Sequence, residues 1–523
     1  MEVLSFKIAL ISPGPIFTSK FGKKVVRTNQ LYPPLGILYL SAVLKRENFH
    51  VDVIDQAAYG FDLQQILNWI KRKDPDVLGF STLISPDSSI PATVISSEIK
   101  KWNPNLKIVF GNKHATFNDD KILKNYQFVD VCVRYEGEYS FLELANAFSN
   151  NSSLKTIRGI TYRENGKIRR NEDHEKIKDL DSVPFPDRKG LKFRYKASFG
   201  GLDLAPSGFT SILASRGCPF NCCYCYSKRT FGYKVRSVEN VIEEMELLEN
   251  DGYKFFIFID DNFTLNKKWV LKLCSMMKKE KIDLDWICEG RVDQVSMEML
   301  RAMRNANCRF IFFGIESANQ RILDYYRKKI TPHQSQLAVN KAREAGIPFI
   351  VGSFIVGAPG ETVHEIKNTL KFSERLDIDF PFINILGTSP GTDVWDDLVK
   401  KGILEEDKYW ETGVPVIYID PKGVPVSKLY SLITESMRNF YLNPRKLMKL
   451  LFSYLTNSFK LRKSLQIAVH NITNFKNLAG VRSFAMGTPE DFENLLLNWS
   501  RFMPDKPGSG LSSLSAKLGN PEA

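Results

Sequence analysis

Twice along the chain, short apolar runs rich in β-branched residues alternate with amphipathic segments, and this alternation limits the fold more than any single residue does. The first series places strands at 6–11, 51–54, 77–80, 108–110 and 129–133. Five strands with helices between them predict an open parallel α/β sheet over residues 1–148, with its ligand crevice at the strand carboxyl ends. The second series places strands at 209–214, 255–260, 286–289, 309–314, 348–356 and 380–386. Six βα units predict a partial (β/α)6 barrel over 208–397, whose active residues gather on the same strand end. In the helix expected at 237–250, Val238, Val241, Ile242, Met245 and Leu248 share a face, while Glu239, Glu243, Glu246 and Glu249 lie away from it.

Between the two series, residues 149–207 read as a connector with a hairpin at Glu164-Asn165-Gly166-Lys167. A mainly helical, basic region is expected at 398–503 and a Pro/Gly/Ser-rich flexible tail at 504–523. A length of 523 residues exceeds what one core fills, so several domains are expected. The net charge of +13 comes from Lys and Arg spread over the whole length, which reads as a solvated basic surface and gives no reason to expect a nucleic-acid partner. The apolar stretch 35–44 is too short to span a bilayer, and the N-terminus has no basic region leading into an apolar run. A cytoplasmic location is expected.

Of eight cysteines, four stand in Cys218-Pro-Phe-Asn-Cys222-Cys223-Tyr-Cys225, and the clustering of Cys218, Cys222 and Cys225 argues for metal ligation in a reducing compartment rather than a disulfide framework. Three thiolates in one loop can hold three irons of a 4Fe-4S cluster and leave the fourth open to a ligand. Zinc would call for four ligands in paired hooks, and no second Cys-x-x-Cys or His pair accompanies the loop. Cys223 is expected to point into packing, and Cys132, Cys274, Cys288 and Cys308 to be core residues.

With Tyr224 before the third cysteine, the loop strongly resembles the signature of the radical S-adenosylmethionine (radical SAM) superfamily. The resemblance implies that the open iron binds the amino and carboxylate groups of S-adenosylmethionine and that one-electron reduction yields a 5′-deoxyadenosyl radical. It also implies roles for other residues. Asp260, Asp261 and Asn262 would make a polar contact to the methionine amino group, although they also read as the N-cap of a helix at 265–277. Gly314, Glu316 and Ser317 would form part of the cofactor-binding segment, with Glu316 as a polar anchor. Arg291 would meet the cofactor carboxylate or else form a surface ion pair. The segment 352–361, with Gly357, would line the adenine or else be a strand-to-helix turn.

Segments 32–40, 74–79, 111–116 and 134–138 resemble the flavodoxin-like cobalamin-binding domain that precedes a subset of these enzymes. Where related domains carry an axial His, this chain has Ala57, which implies cobalamin bound without that ligand. Ser81-Thr82-Leu83 fits the accompanying Ser-x-Leu segment. Gly111-Asn112-Lys113 departs from the usual Gly-Gly-Pro, and His114 is expected to be structural or pocket-lining rather than a cobalt ligand.

The resemblance implies a methyltransferase acting on an unactivated carbon of a small or lipid-like substrate, fed by a reducing electron donor such as flavodoxin or ferredoxin. The alternative is a radical cyclase or oxidoreductase of a lipid or tetrapyrrole. Lys446, Lys449, Lys460, Arg462 and Lys463 flank apolar residues as on a helix lying on a membrane surface, which would place the protein peripherally on the inner face; the competing reading packs that helix on the barrel.

Overall fold

The computed structural model describes residues 6–14, 32–199, 202–406, 417–418, 424–444, 446 and 448. Eighteen strands occur among them. Those of the first half are β1 (Lys7–Ser12), β2 (His50–Asp55), β3 (Val77–Ser81), β4 (Lys107–Gly111), β5 (Val131–Val133), β6 (Ile160–Glu164) and β7 (Lys167–Arg170). The second half contains β8 (Tyr195–Phe199), β9 (Leu202–Ile212), β10 (Ser215–Arg216), β11 (Lys234–Val235), β12 (Phe255–Phe258), β13 (Asp285–Gly290), β14 (Cys308–Glu316), β15 (Phe349–Val356), β16 (Phe380–Ile385), β17 (Gly387–Thr388) and β18 (Ile417–Tyr418).

The first sheet runs in the order β2-β1-β3-β4-β5-β6-β7. Strands β1 to β5 are parallel, the flavodoxin-like order expected of the first series. β6 and β7 extend it as an antiparallel hairpin turning at Asn165 and Gly166, both in left-handed conformation, as an Asn-Gly pair favours. The second sheet runs β16-β15-β14-β13-β12-β9-β8, with β9 and β12 to β16 parallel and in sequential order and β8 antiparallel at the edge. This is the six-unit half barrel. Parts of the expected connector therefore join both sheets.

Each helix faces the sheet with the stripe its sequence supplies. Ser237 caps Val238–Asn250 by accepting from the Asn240 amide, and the five apolar residues of the expected face are buried. The two sheets are not separate bodies. One core holds Ile8, Leu10 and Val53 from the first together with Phe209, Phe255, Ile257, Phe310 and Phe349 from the second. The helix Asp393–Lys400 spans the expected boundary at 397 and 398, and packs through Val394, Trp395 and Leu398 into a core that also contains Ile66, Phe110 and Ala358.

Of the basic C-terminal region, the helix Val426–Leu442 is described and packs on Val363–Arg375, where Ser436 donates to Glu374 at 2.9 Å. Lys446 donates to the Leu376 carbonyl at 3.0 Å and lies 3.5 Å over the Phe440 ring, turned onto the protein. Lys449, Lys460, Arg462, Lys463 and the tail at 504–523 lie outside the described residues. Among the described residues no helix is long and apolar enough to cross a membrane.

Candidate functional site: a three-cysteine loop between two sheets

After β9 the chain makes the short pairing of β10 with β11, Arg216 opposite Lys234, which closes the base of the loop at 217–233. Gly217 opens it at φ +77, where an added Cβ would lie 2.7 Å from the Gly232 carbonyl oxygen; only glycine fits both demands. Within the loop Cys218, Cys222 and Cys225 stay partly exposed, whereas Cys132, Cys223, Cys274, Cys288 and Cys308 are buried, as expected of core residues. Cys223 is tied down: its amide donates to the Tyr326 carbonyl at 3.1 Å and its thiol to the Tyr325 carbonyl at 3.3 Å. It cannot replace Cys222 without breaking both.

Among the described residues no three His, Cys, Asp or Glu side chains converge as a single metal ion requires. Three thiolates in one loop suit a cubane, in which each would take a different iron. The Ser227 amide approaches the Cys225 sulfur at 3.4 Å. Burial pushes the Cys218 and Cys222 thiols up, so both need a cation to ionise; near Cys222, Lys328 and Arg291 oppose that effect.

The other expected residues cluster at the same strand ends, with some changed parts. Asp260 is turned inward, accepting from the Ala214 amide at 3.1 Å and the Ser215 hydroxyl at 2.5 Å, and so braces the start of the loop. Burial raises its carboxyl to about 7. Asp261 is exposed. Asn262 is buried; its carbonyl oxygen accepts from Thr264 at 3.2 Å, while its amide nitrogen has no partner among the described residues. A buried donor left over costs free energy unless a ligand takes it, which fits the expected polar contact. The capping reading is corrected: a 3-10 turn at Phe263–Leu265 follows Asn262 with no side-chain cap, and the helix Lys267–Lys279 is capped by Asn266, which accepts from Trp269 at 3.1 Å.

Arg291 is buried, so the surface ion-pair reading gives way to an interior one. Its guanidinium pairs with Asp293 at 3.0 Å, donates to the Lys328 carbonyl at 2.6 Å and lies 3.7 Å over the ring of Phe220, inside the cysteine loop. Glu316 sits at φ +64, an unusual conformation for a glutamate, and pairs with buried Lys328 at 2.6 Å. Gly314 makes room for that pair, since a Cβ there would be 2.7 Å from both charged groups. Tyr224 packs edge-on against Tyr326 at 5.2 Å and, with Glu316, Ser353, Asn384 and Gly387, lines a cavity of about 280 Å³. Ser317 is buried on Thr369, hydroxyl to hydroxyl at 3.1 Å. Gly357, at φ +90, is held by Glu361, whose carboxylate accepts from the Gly357 and Ala358 amides at 2.6 and 3.0 Å. Lys328 has no spacing signal in the sequence and emerges only from the packing, as does the bracing contact of Glu361 within the expected segment.

In the first sheet Ser81 and Gly111 end adjacent strands, and Leu83 is 46% exposed at the crevice. An added Cβ at Gly111 meets nothing closer than 3.9 Å, so the edge is open. Asn112 has φ +73, a conformation glycine adopts freely and asparagine tolerates, which explains how it stands where the family resemblance implies a glycine. Its amide donates to Ser81 at 3.0 Å and its carbonyl accepts from the Lys113 amide at 2.7 Å. We predict that Asn112→Gly keeps stability and binds hydroxocobalamin at least as tightly, whereas Asn112→Val loses about 1–2 kcal/mol in urea unfolding. His114 is buried with Nδ1 3.3 Å from Asn118, and burial lowers it to about 4, leaving it neutral at ordinary pH and facing its own helix. At the expected axial position, Ala57 lies in a short helix, Gln56–Tyr59, capped by Asp55; a Cβ on Gly14 would be 2.6 Å from that of Ala57. The crevice therefore fits a corrinoid held without a histidine from this segment.

The two strand ends meet at the cysteine loop. Phe117, on the helix Asn112–Asn125, stacks on Tyr226 at 5.6 Å, Lys113 lies 5.0 Å over the same ring, and Tyr226 hydrogen-bonds Ser389.

Such a loop at the mouth of a half barrel, facing the crevice of a flavodoxin-like sheet, defines a radical SAM enzyme with an appended corrinoid domain. The chain belongs to the radical SAM superfamily, in the branch that carries a cobalamin-binding domain before the barrel. Residues 212–373 match the radical SAM superfamily model, and residues 25–145 match the B12-binding domain model. The chain is 36% identical over 454 residues to an uncharacterized methyltransferase of Pyrococcus horikoshii, covering 86% of this chain and 95% of that protein. It is 26% identical over 435 residues to the anaerobic magnesium-protoporphyrin IX monomethyl ester cyclase of Cereibacter sphaeroides, covering 81% and 68%. Among solved structures, the radical S-adenosylmethionine methyltransferase TsrM from Kitasatospora setae matches with a TM-score of 0.65 at 17% identity, over 84% of this chain and 90% of that one. The cobalamin-dependent enzyme OxsB matches at 0.64 and 18%, over 98% and 81%, so the fold is shared with both. The cofactor set of this family is a 4Fe-4S cluster, S-adenosylmethionine and cobalamin.

The inward role of Asp260 carries a pH consequence. A carboxyl raised from 3.8 to about 7 on folding binds its proton more tightly in the folded state, so its contribution to stability is full below pH 4 and is lost as pH rises through 7. Asp260→Asn should flatten that decline between pH 4 and 7, measured as urea midpoints of the apoprotein.

Proposed function

We propose that this enzyme methylates an unactivated carbon of a small or lipid-like molecule. The reading rests on one juxtaposition, the cysteine loop held between the corrinoid crevice and the barrel mouth by Tyr226 and Phe117. When bound, the cluster with S-adenosylmethionine supplies a 5′-deoxyadenosyl radical for hydrogen abstraction, and cobalamin supplies the methyl group, with two molecules of S-adenosylmethionine used per turnover.

The chain's own residues orient and enclose. Cys218, Cys222 and Cys225 would hold three irons. The unpaired Asn262 amide and Asp261 stand ready for the polar end of the cofactor, and Arg291, fixed by Asp293 and the Lys328 carbonyl, lends positive charge beside the loop. Tyr224, Glu316, Ser353, Asn384 and Gly357 would position the adenosyl part, with Ser317 and Gly314 shaping the backbone. Ser81, Leu83 and Gly111 would line the corrinoid crevice, with His114 as a structural residue behind them.

A second reading, a radical cyclase acting on a tetrapyrrole, is supported by the resemblance to the Cereibacter sphaeroides cyclase. A cytoplasmic setting belongs to the proposal, as do a flavodoxin or ferredoxin donor and peripheral contact with the inner membrane face. Anaerobic reconstitution with iron, sulfide and hydroxocobalamin, followed by incubation with S-adenosylmethionine and a reductant, tests it. Both 5′-deoxyadenosine and S-adenosylhomocysteine should form; 5′-deoxyadenosine alone, without a cobalamin spectrum, would favour the cyclase or oxidoreductase.

A further inference from the structure

Within the Arg134-Tyr135-Glu136-Gly137-Glu138 run, at the carboxyl end of β5, the two glutamates make ion pairs outside their own sheet. Glu136 and Glu138 both reach Arg216, two residues before the first cysteine of the loop. Arg216 Nη1 meets Glu136 Oε1 at 2.8 Å and Nη2 meets Glu138 Oε1 at 2.6 Å. All three side chains are less than one tenth exposed. Lys234, paired with Arg216 across β10 and β11, adds a contact to Glu136 Oε2 at 2.9 Å, and the same oxygen accepts from the Ile177 amide at 2.9 Å. The guanidinium also lies 5.5 Å over the ring of Tyr39, on the first helix of the corrinoid-type sheet.

A fork of charge-assisted bonds in a dry site fixes direction as well as distance, because without Arg216 the Glu138 carboxylate would be a buried, unpaired charge and Glu136 would keep only Lys234 and the Ile177 amide. The other end of the loop is gripped from the same sheet. Tyr226, one residue after Cys225, is stacked on Phe117 and overlain by Lys113, both from the helix that follows β4. The segments after β4 and β5 therefore hold the cysteine loop at its two ends, and the first of these also forms the crevice edge at Gly111 and Asn112.

We propose that Arg216 is a positioning residue which, through Glu136 and Glu138, sets the separation and orientation of the cluster relative to the corrinoid. The inference rests on the proposed cofactor set. Misplacement by about 1 Å is enough to cost two orders of magnitude in a reaction that depends on geometry, so the bridge governs turnover without touching a reacting atom.

The test uses the full chain loaded with cluster and hydroxocobalamin and poised so that cob(II)alamin and reduced cluster coexist. Power saturation of the cob(II)alamin paramagnetic resonance reports their separation, because a nearby reduced cluster quickens relaxation. In Arg216→Gln, with iron and cobalamin contents equal to wild type, the half-saturation power should fall at least threefold and the rate of 5′-deoxyadenosine formation at least tenfold. Arg216→Lys, able to keep one carboxylate contact, should recover part of both. Should Arg216→Gln not accumulate as folded protein, Glu138→Gln, which leaves the Glu136 contact in place, is read in the same way. Unchanged relaxation and cleavage in a loaded variant overturn the inference alone. A wild-type chain that takes up no cobalamin or no cluster overturns the proposed function, and this inference with it.

Discussion

Cys222→Ala abolishes 5′-deoxyadenosine formation and leaves uptake of hydroxocobalamin close to wild type. The two halves of that result come from the separation of the ligand sets. Cys222 belongs to the loop at 217–233, while the corrinoid crevice is edged by Ser81, Gly111 and Asn112 in another sheet. No neighbouring thiol can substitute, because Cys223 is held by the Tyr325 and Tyr326 carbonyls. Loss of one of three ligands removes the cluster or leaves it without the geometry that keeps one iron open. Iron content, the cobalamin absorbance and chromatography of the nucleoside products read the three quantities separately. Undiminished 5′-deoxyadenosine in the variant would mean that the loop does not hold the reactive cluster.

Glu244→Ala is expected to cost about 3–5 kcal/mol of stability, the range for breaking a buried ion pair by removing one partner. Glu244 is 1% exposed and lies between two guanidiniums, Arg188 at 2.6 Å and Arg236, which also pairs with it. Arg188 belongs to the connector and also donates to the Ser211 carbonyl at 2.6 Å, so the triad ties that connector to β9 and to the helix Val238–Asn250. Alanine would leave two buried cations facing each other. Burial by itself would push the Glu244 carboxyl up, but Arg188 and Arg236 outweigh it and hold the group below its ordinary 4.5. The stabilisation is therefore present above pH 4.5 and is lost as pH falls through the lower folded value. Urea unfolding of the apoprotein at pH 7 gives the size, and a loss under 1 kcal/mol would show that the triad is dispensable.

The fold was legible wherever the signal was local. All eleven expected strands of the two series are present, because short apolar, β-branched runs between amphipathic helices leave few other arrangements, and Asn165-Gly166 marked its hairpin through the conformation those residues favour. The cysteine loop was legible because its ligands lie within eight residues. What the sequence did not disclose depends on contacts between distant segments. Arg216 lies about 80 positions from Glu136 and Glu138, so no spacing rule joins them. Glu244 borders the apolar stripe of a helix whose other glutamates face away from the core, and only the two arginines that meet it from outside the stripe explain its burial. Asp260 looked like a ligand contact or a helix cap, yet it braces Ala214 and Ser215, because the 3-10 turn Phe263–Leu265 delays the helix and moves its cap to Asn266.

The most direct measurement is metal analysis and paramagnetic resonance of protein purified without oxygen. About four irons per chain are expected, with a reduced-cluster signal that shifts when S-adenosylmethionine is added. Zinc in place of iron, or a cluster signal indifferent to S-adenosylmethionine, would contradict an open iron corner in the loop of Cys218, Cys222 and Cys225.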